Sequence, residues 1–242
     1  MIVHIYPDTE TVGRAAATLI ASKIIEKPDA VLGLATGSTP VRLYRELQRL
    51  NREGTVSFAK VRTFNLDEYA GLDGNHPQSY RYFMNAQLFD HIDIDPANTH
   101  VPSGFAGESA SDYDDEINRA GGVDIQLLGI GHNGHIGFNE PADDFSLTTH
   151  VVELTESTRR ANARFFNAPE DVPTHAVSMG IGTIMKARSI LMIVTGADKA
   201  ETVRAMLKGP VTPRMPASIL AFHPNVTVLL DSAAACKLED QE

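Results

Sequence analysis

The fold class of this chain follows from residues 123–141, which read VDIQLLGIGHNGHIGFNEP. An apolar run that ends in closely spaced glycines is typical of a buried strand followed by a tight turn, so we predict a central strand from Val123 to Ile130. Similar apolar runs, separated by segments with helical signals, occur on both sides of this stretch. Strands that alternate with helices predict an α/β fold, with a mostly parallel sheet covered by helices on both faces.

The other predicted elements extend this alternation to both ends of the chain. Further strands are predicted from short apolar runs at Ile2 to Tyr6, Ala30 to Ala35, Val61 to Leu66, Ser189 to Thr195 and Val226 to Asp231. Helices are predicted at Thr9 to Glu26 (with Asp8 as the cap), Pro40 to about Asn51, His76 to His91, Ser109 to Ala120, Ala176 to Lys186 and Lys199 to Lys208. We expect the helix that begins at Ser109 to be exposed, because it is polar. No linker rich in Gly, Ser or Pro divides the chain, so we expect residues 1–242 to form a single domain.

Composition and charge narrow the classes of function. The chain has 242 residues, of which 43% are hydrophobic and 21% charged, as in ordinary soluble globular proteins. Its formal net charge of −10 and its lack of a dense Lys/Arg run oppose nucleic-acid binding. The lone cysteine, Cys236, cannot form a disulfide or a cysteine-based zinc site within one chain. Without a signal-peptide pattern or an apolar stretch of about 20 residues, we expect a cytoplasmic protein with no membrane partner.

The first loop that carries chemistry reads GLATGSTP at residues 33–40 and follows the second predicted strand. Ligands bind open α/β sheets at the carboxyl ends of the strands. Glycine allows close approach of the backbone to a ligand, and the start of a helix offers free amides and a positive dipole end. With the hydroxyls of Ser38 and Thr39, this loop around Gly37 is therefore a candidate phosphate cradle. A plain turn in which Ser38 or Thr39 caps the helix is the alternative, and it is compatible with phosphate binding.

The second loop follows the third predicted strand and reads NLDEY at residues 65–69. A carboxylate at such a strand end can act as a general base if burial or a like-charged neighbour raises its pKa. The alternatives for the adjacent pair Asp67 and Glu68 are a solvated acidic turn, or a helix start capped by Asp67. An unperturbed aspartate, with a pKa of about 3.9, is a weak base, so we expect Asp67 to be partly buried in the complex with substrate.

The third loop, residues 129–141, combines four glycines, two histidines and a carboxylate after a strongly apolar strand. A structural turn does not need that combination, and His135 is suited to moving protons near neutral pH. Asn133 and Glu140 are candidates to orient its ring and set its tautomer. Metal binding by His132, His135 and Glu140 is the alternative, although no further ligand cluster and no HExxH-type spacing accompany them.

Five segments together have a recognisable combination of residues. They are NLDEY at 65–69, GIGHNGHIGFNEP at 129–141, TRRANARFF at 158–166, MGIGTI at 179–184 and GADKA at 196–200. In this order they closely resemble the glucosamine-6-phosphate deaminase family, over essentially the whole chain. The resemblance implies a single three-layer α/β domain with a modified Rossmann-type sheet. It also implies conversion of glucosamine 6-phosphate to fructose 6-phosphate and ammonia, in amino-sugar catabolism, with no metal and no organic cofactor.

The resemblance further implies roles for individual residues. Asp67 would take the proton from C2 of the substrate and deliver it to C1. His135 would move protons during opening of the pyranose ring, and Asn133 and Glu140 would complete that relay. A glycine loop and two cations, which suit an anion, would hold the phosphate: Thr36–Thr39, Arg164 and Lys199.

Two features depart from the family pattern. Many relatives have aspartate where this chain has Asn133, and an amide can orient His135 but cannot neutralise an imidazolium. Some members are activated by N-acetylglucosamine 6-phosphate through basic residues just after the Glu140 region, whereas residues 147–153 here read LTTHVVE. We therefore expect no such activation. The resemblance also implies a mobile lid in the segment from about 150 to 175 of this chain. Relatives include both monomers and hexamers, so the oligomeric state stays open.

Three other functions stay open from the sequence. 6-Phosphogluconolactonases share the fold and a similar Gly-His loop, but they typically continue with a Ser-Leu-Phe-Pro-like stretch where this chain has GFNEP at 137–141. A deaminase for the galactosamine epimer is harder to separate by sequence. A non-catalytic sugar-phosphate sensor of a transcriptional regulator would carry an added helix-turn-helix domain, and the first strand here begins at Ile2.

Overall fold

A computed structural model describes residues 1–104, 110–156, 159–160, 166, 168 and 171–238 of the chain. Their strands are β1 (Ile2–Tyr6), β2 (Val31–Leu34), β3 (Arg62–Asn65), β4 (Asp67–Tyr69), β5 (Thr99–His100), β6 (Ile125–Leu128), β7 (His150–Glu153), β8 (His175–Ser178), β9 (Ile190–Val194) and β10 (Val226–Asp231). Seven strands form a parallel sheet in the order β1-β10-β9-β6-β2-β3-β5. The other three form an antiparallel sheet in the order β4-β8-β7.

Helices connect most of the parallel strands. Those in the described part of the chain are α1 (Thr9–Glu26), α2 (Val41–Arg52), α3 (Tyr80–Gln87), α4 (Ala110–Arg119), α5 (Ile181–Met185), α6 (Ala200–Lys208) and α7 (Ser232–Ala235). Every residue of β2, β6 and β9 is buried, so the centre of the sheet is covered on both faces. The predicted three-layer α/β fold is confirmed. None of the described helices has the length and apolar character that a membrane span requires.

The first helix begins and ends where the local sequence signals place it. Asp8 precedes α1, and its Oδ1 accepts a hydrogen bond from the Thr11 amide at 2.7 Å. This bond satisfies one of the amides that an α-helix leaves free at its start. The apolar stripe of α1, including Ala16, Ile20 and Ile24, is buried in the core. The predicted cap and both predicted ends of this helix are confirmed.

The helix predicted from Ala176 to Lys186 is wrong in its first half. This part of the segment is strand β8, and only Ile181–Met185 is helical. The strand forms because β8 pairs with β4 on one side and β7 on the other, a contact between distant parts of the sequence. Gly180 then stands at the N-cap of the short helix α5. Apolar runs of this length fit a buried strand or a buried helix equally well.

Two other helices differ from their predictions in extent or environment. The helix predicted to start at His76 begins only after Ser79, whose Oγ accepts a hydrogen bond from the Tyr82 amide at 3.0 Å. Helix α4 was expected to be exposed, but it buries Tyr113 and Asp114. The Asp114 carboxylate accepts hydrogen bonds from side-chain hydroxyls and a backbone amide on two other segments, at Thr149 and Thr183. These bonds compensate its burial.

The carboxyl ends of the parallel strands place four loops at one edge of the sheet. Strands β2, β3, β6 and β9 are parallel neighbours within the sheet, so the segments that follow them lie on the same side. The predicted phosphate loop, the Asp67 segment, the His135 loop and the Lys199 turn are these four segments. The predicted lid around 150–175 stays a prediction, because much of it lies outside the described residues. Its described ends belong to the β7–β8 pair.

Candidate active site

The loop after β6 is tight, and the His135 ring packs against the backbone of Gly131 in the same loop. The Gly131 amide donates a hydrogen bond to the His135 carbonyl at 2.9 Å, and the Gly134 amide donates to the Gly131 carbonyl at 3.1 Å. A Cβ atom at Gly131 would lie 2.3–2.4 Å from three atoms of the His135 ring. No side chain fits there without moving the ring, so glycine at this position fixes where the imidazole sits.

Glu140 and Asn133 form the immediate surroundings of the imidazole. His135 Nδ1 lies 3.2 Å from Glu140 Oε1. The Asn133 side-chain amide donates to Glu140 Oε2, and its oxygen accepts from the His135 backbone amide at 3.2 Å. The two atoms do not meet in hydrogen-bond geometry, so Glu140 acts on the ring as a nearby negative charge, which favours a positive charge on the imidazole. Asn133 therefore acts on the ring through Glu140, and Glu140 supplies the negative charge that the amide lacks.

Gly137 brings the same loop against the Asp67 carboxyl. A Cβ atom at Gly137, where φ is +58°, would lie 2.9 Å from Ser178 Oγ and 3.6 Å from Asp67 Oδ2. Ser178 Oγ accepts a hydrogen bond from the Phe138 amide at 3.0 Å. The His135 loop is thus attached to β8, the strand that pairs with the strand carrying Asp67. The structure brings Asp67 and the His135 loop together, as the sequence predicts.

Asp67 is buried before any substrate binds. Its side chain is among the buried charged groups, with 7% of the residue surface exposed. Burial foremost, and then the negative charge of Glu68, raises the pKa of Asp67 from an ordinary value of 3.8 to about 8. A carboxyl group with that pKa is a far stronger base when ionised than an ordinary aspartate. The alternatives of a solvated acidic turn and of a helix capped by Asp67 are both wrong.

Glu68, the adjacent carboxylate, stabilises a helix instead. Its Oε1 accepts hydrogen bonds from the amides of Tyr69 and Tyr80, each at 2.8 Å, and its Oε2 accepts from the Arg81 amide at 2.9 Å. Two of these amides open α3, where a negative charge is favoured. Burial raises the pKa of Glu68, and the three amides oppose that rise. The two neighbouring acids therefore have separate tasks, because successive residues of a strand face opposite sides.

Two polar residues that hold the His135 loop were given no role from the sequence. Asn139 donates from Nδ2 to the carbonyls of Ile136 and Met179, at 2.8 and 2.9 Å. Ser178 holds the Phe138 amide. Asn139 lies within residues 129–141, so its place in this motif is a sequence signal that it belongs to the site. Ser178 lies in the segment whose secondary structure was predicted wrongly, so the sequence offered no pointer to it.

The predicted phosphate loop lies at an uncapped helix start. Thr36 and Thr39 are half-buried, Gly37 and Ser38 are exposed, and Gly37 has a φ of +95° that favours glycine. No described side chain caps α2, and Pro40 stands at its N-cap. The alternative of a Ser38 or Thr39 cap is therefore wrong. The free amides at the start of α2 and the nearby hydroxyls are left to face an anion.

Lys199 reaches the His135 loop through His132. Its Nζ lies 3.2 Å from His132 Nδ1, and His132 Nε2 lies 2.6 Å from Asp198 Oδ2. Burial lowers the pKa of the Lys199 ammonium, while the charge of Asp198 opposes this. Arg164, the other predicted phosphate cation, lies outside the described residues.

The metal alternative required His132, His135 and Glu140 to converge. In the structure His132 pairs with Asp198 and Lys199, whereas His135 faces Glu140. Across the ranges that the structure describes, His, Cys, Asp and Glu side chains form no group of three or more suited to hold a metal ion.

A buried carboxyl with a raised pKa and a histidine next to a carboxylate lie at one edge of a parallel sheet, which is where α/β enzymes bind their ligands. Residues 8–229 match the family described as Glucosamine-6-phosphate isomerases/6-phosphogluconolactonase, and the chain belongs to this family. It is 49% identical to the glucosamine-6-phosphate deaminase of Halothermothrix orenii, over 98% of this chain and 100% of that protein. The corresponding protein of Hahella chejuensis is 52% identical, over 99% of this chain and 92% of its own length.

Solved structures agree with the sequence matches. A monomeric glucosamine-6-phosphate deaminase is similar with a TM-score of 0.95 and 47% identity, over 98% of this chain and 100% of that one. The 6-phosphogluconolactonase of Trypanosoma brucei has a TM-score of 0.72 at 21% identity, over 98% of both chains, which shows a shared fold alone.

Proposed function

We propose that this protein is a glucosamine-6-phosphate deaminase, which converts glucosamine 6-phosphate and water to fructose 6-phosphate and ammonia. The observation that carries the proposal is the Asp67 carboxyl. It is buried, has a raised pKa, and lies beside the loop that holds His135 against Glu140. The activity named for the relatives supports the proposal, since they match this chain over nearly its full length.

The first chemical step is opening of the pyranose ring. The C1–O5 bond breaks while one proton leaves the O1 hydroxyl and one reaches O5. The His135 imidazole, whose Nδ1 lies 3.2 Å from Glu140 Oε1, exchanges both protons in turn. Glu140 stabilises the imidazolium that forms between the two transfers, and Asn133 holds Glu140 in place.

The second step moves a proton between neighbouring carbons. The ionised Asp67 carboxylate removes the proton from C2, and the electron pair forms a C1=C2 double bond. The C1=O1 double bond opens at the same time, and O1 takes a proton from water to become a hydroxyl. The carboxyl returns the proton to C1, and the nitrogen lone pair leaves an iminium at C2. Water adds to C2, and one of its protons moves to the nitrogen while the other returns to solvent. The C–N bond breaks, so that ammonia departs and C2 becomes a ketone. A pKa of about 8 makes the carboxylate a strong base but leaves about one tenth of it ionised at pH 7.

The phosphate end of the substrate binds at the uncapped start of α2. The amides and hydroxyls of residues 36–39 and the Lys199 ammonium supply hydrogen bonds and positive charge. Arg164 is a further proposed contact. We propose that no metal and no organic cofactor takes part, that the enzyme is cytoplasmic, and that N-acetylglucosamine 6-phosphate does not activate it.

A lactonase or a sugar-phosphate sensor would need only part of this site. A lactonase hydrolyses an ester carbonyl and needs no base to remove a proton from carbon, which is the task that suits the raised pKa of Asp67. A sensor needs phosphate contacts but neither Asp67 nor the His135–Glu140 pair. The galactosamine epimer has the same reacting atoms, so it is tested directly as a substrate.

The test measures ammonia and fructose 6-phosphate released from glucosamine 6-phosphate by wild type, Asp67→Asn and Asp73→Asn. Asp73 is an exposed aspartate six positions further along, so its variant is a matched control for loss of one carboxylate. We expect equal amounts of both products from wild type and Asp73→Asn, and a loss of 10³-fold or more in kcat for Asp67→Asn. Release only from galactosamine 6-phosphate, or only lactone hydrolysis, contradicts the proposal.

A further inference from the structure

His132 connects the His135 loop to the turn that carries Lys199. Its Nε2 lies 2.6 Å from Asp198 Oδ2, and its Nδ1 lies 3.2 Å from Lys199 Nζ. Its backbone carbonyl accepts a hydrogen bond from Thr202 Oγ1 at 2.6 Å, which attaches the loop to α6. A carboxylate, an imidazole and an ammonium thus stand in a row at the edge of the sheet that also carries the predicted phosphate loop.

The direction of the hydrogen bonds in this row is fixed by chemistry. An ammonium has three donors and no acceptor, so Nδ1 of His132 must offer its lone pair to Lys199. The ring proton then stands on Nε2, and the Asp198 carboxylate accepts it. The hydrogen bond from His132, as the largest cause, holds the pKa of Asp198 below its usual value. The carboxylate of Asp198 thus holds a ring proton on Nε2, and Nδ1 is the nitrogen that faces Lys199.

We propose that His132 is a positioning residue that aims the Lys199 ammonium at the substrate phosphate. The inference rests on the proposed function, because it gives the phosphate contact of that site an additional support. A lysine side chain is long and flexible, and fixing it before binding lowers the entropy lost when the phosphate arrives. Among the residues that the structure describes, the half-buried Lys199 ammonium has one hydrogen-bond partner, His132, and an ammonium has three protons to donate.

A neutral acceptor suits this task better than a carboxylate. A carboxylate in contact with Lys199 would cancel its positive charge and compete with the phosphate for it. The imidazole of His132 orients the ammonium and leaves the full charge for the ligand. Asp198, which does carry a negative charge, is held on the far nitrogen of the ring.

The test compares His132→Leu, which removes the acceptor at similar size, with His132→Asn, whose side-chain oxygen can take the place of Nδ1. His4→Gln, on the exposed strand β1, is the matched control. We expect His132→Leu to raise KM for glucosamine 6-phosphate about tenfold, the value of one hydrogen bond to a charged group, with kcat within twofold of wild type. His132→Asn should restore most of the affinity, and His4→Gln should change neither constant.

Two further measurements separate this inference from the proposed function. Inorganic phosphate binding, measured by calorimetry, should weaken in His132→Leu by about the same factor as KM, whichever sugar phosphate proves to be the substrate. Nitrogen NMR of histidine-labelled protein should show the His132 ring protonated at Nε2. An unchanged phosphate affinity in folded His132→Leu overturns the inference, as does a fall in kcat at constant KM, or a proton on Nδ1. An inactive wild type that still shows the phosphate difference would instead refute the proposed function alone.

Discussion

Replacement of Asp67 by asparagine should stabilise the protein while it removes the proposed base, and the gain in stability should depend on pH. The folded protein holds Asp67 protonated up to a pKa of about 8, whereas the unfolded chain ionises it at an ordinary value near 3.8. Between these values the unfolded state binds fewer protons, so the free energy of unfolding of the wild type falls as pH rises. An asparagine is neutral in both states and escapes this loss.

The expected magnitude follows from the two pKa values. One unit of difference corresponds to about 1.4 kcal/mol, so the Asp67 contribution changes by about 3 kcal/mol between pH 5 and pH 7. Above pH 8 the carboxyl ionises in both states and the difference between the variants levels off. Because a comparison at two pH values cancels any effect of the substitution that does not depend on pH, packing changes in Asp67→Asn do not enter it.

Urea unfolding of wild type and Asp67→Asn at pH 5, 6, 7 and 8 measures this difference directly. The advantage of the asparagine variant should grow by more than 1 kcal/mol per pH unit up to pH 7. The same ionisation should govern kcat/KM of the wild type, which should rise close to tenfold between pH 6 and pH 7. A stability difference that stays constant over this range would mean that Asp67 is already ionised in the folded protein, and the argument from burial would fail.

Two other substitutions test the neighbours of the base. Gly131→Ala should lower kcat by about 100-fold, because its Cβ would displace the His135 ring. Gly129→Ala is the control and should leave kcat nearly unchanged, because a Cβ there has no atom within 4 Å. Steady-state kinetics of both variants measure the two effects. Equal losses in both variants would contradict the steric reason. Glu68→Gln should move the rise of kcat/KM to lower pH, because it removes the negative charge that helps to raise the pKa of Asp67, and a pH–rate profile measures it. The same variant should lose about 1–3 kcal/mol in stability, since it weakens the hydrogen bonds to the start of α3.

Much of the parallel sheet and the place of the four loops could be predicted from the sequence, because those signals are local. The apolar runs, the Asp8 cap and the glycines near Gly131 determine the structure of residues only a few positions away from them in the sequence. The pairing of β8 with β4 joins segments more than 100 residues apart, so no local sequence pattern predicts it. The His132–Lys199 contact joins residues 67 positions apart and was not foreseen for the same reason.

The separate roles of Asp67 and Glu68 show a second kind of limit. In the sequence they are two adjacent acids, and either is a candidate base. The difference arises because β4 alternates its side chains, so that one carboxylate meets the amides of α3 and the other meets Gly137. The sequence records the alternation but not which side faces the helix.

The raised pKa of Asp67 follows from the way the chain connects the two sheets. At Leu66 the chain passes from one sheet to the other: its amide donates to the Leu34 carbonyl of β2 at 3.0 Å, and its carbonyl accepts from the Met179 amide at 2.7 Å. The next residue, Asp67, therefore lies where the two sheets meet, which buries it although it comes just after the carboxyl end of β3. The second sheet also supplies Ser178, which holds the loop that carries the imidazole. The passage of the chain from the first sheet to the second thus buries the Asp67 carboxyl and also brings the His135 loop beside it. A variant that loosens the β4–β8 pairing should therefore both lower the pKa of Asp67 and displace His135.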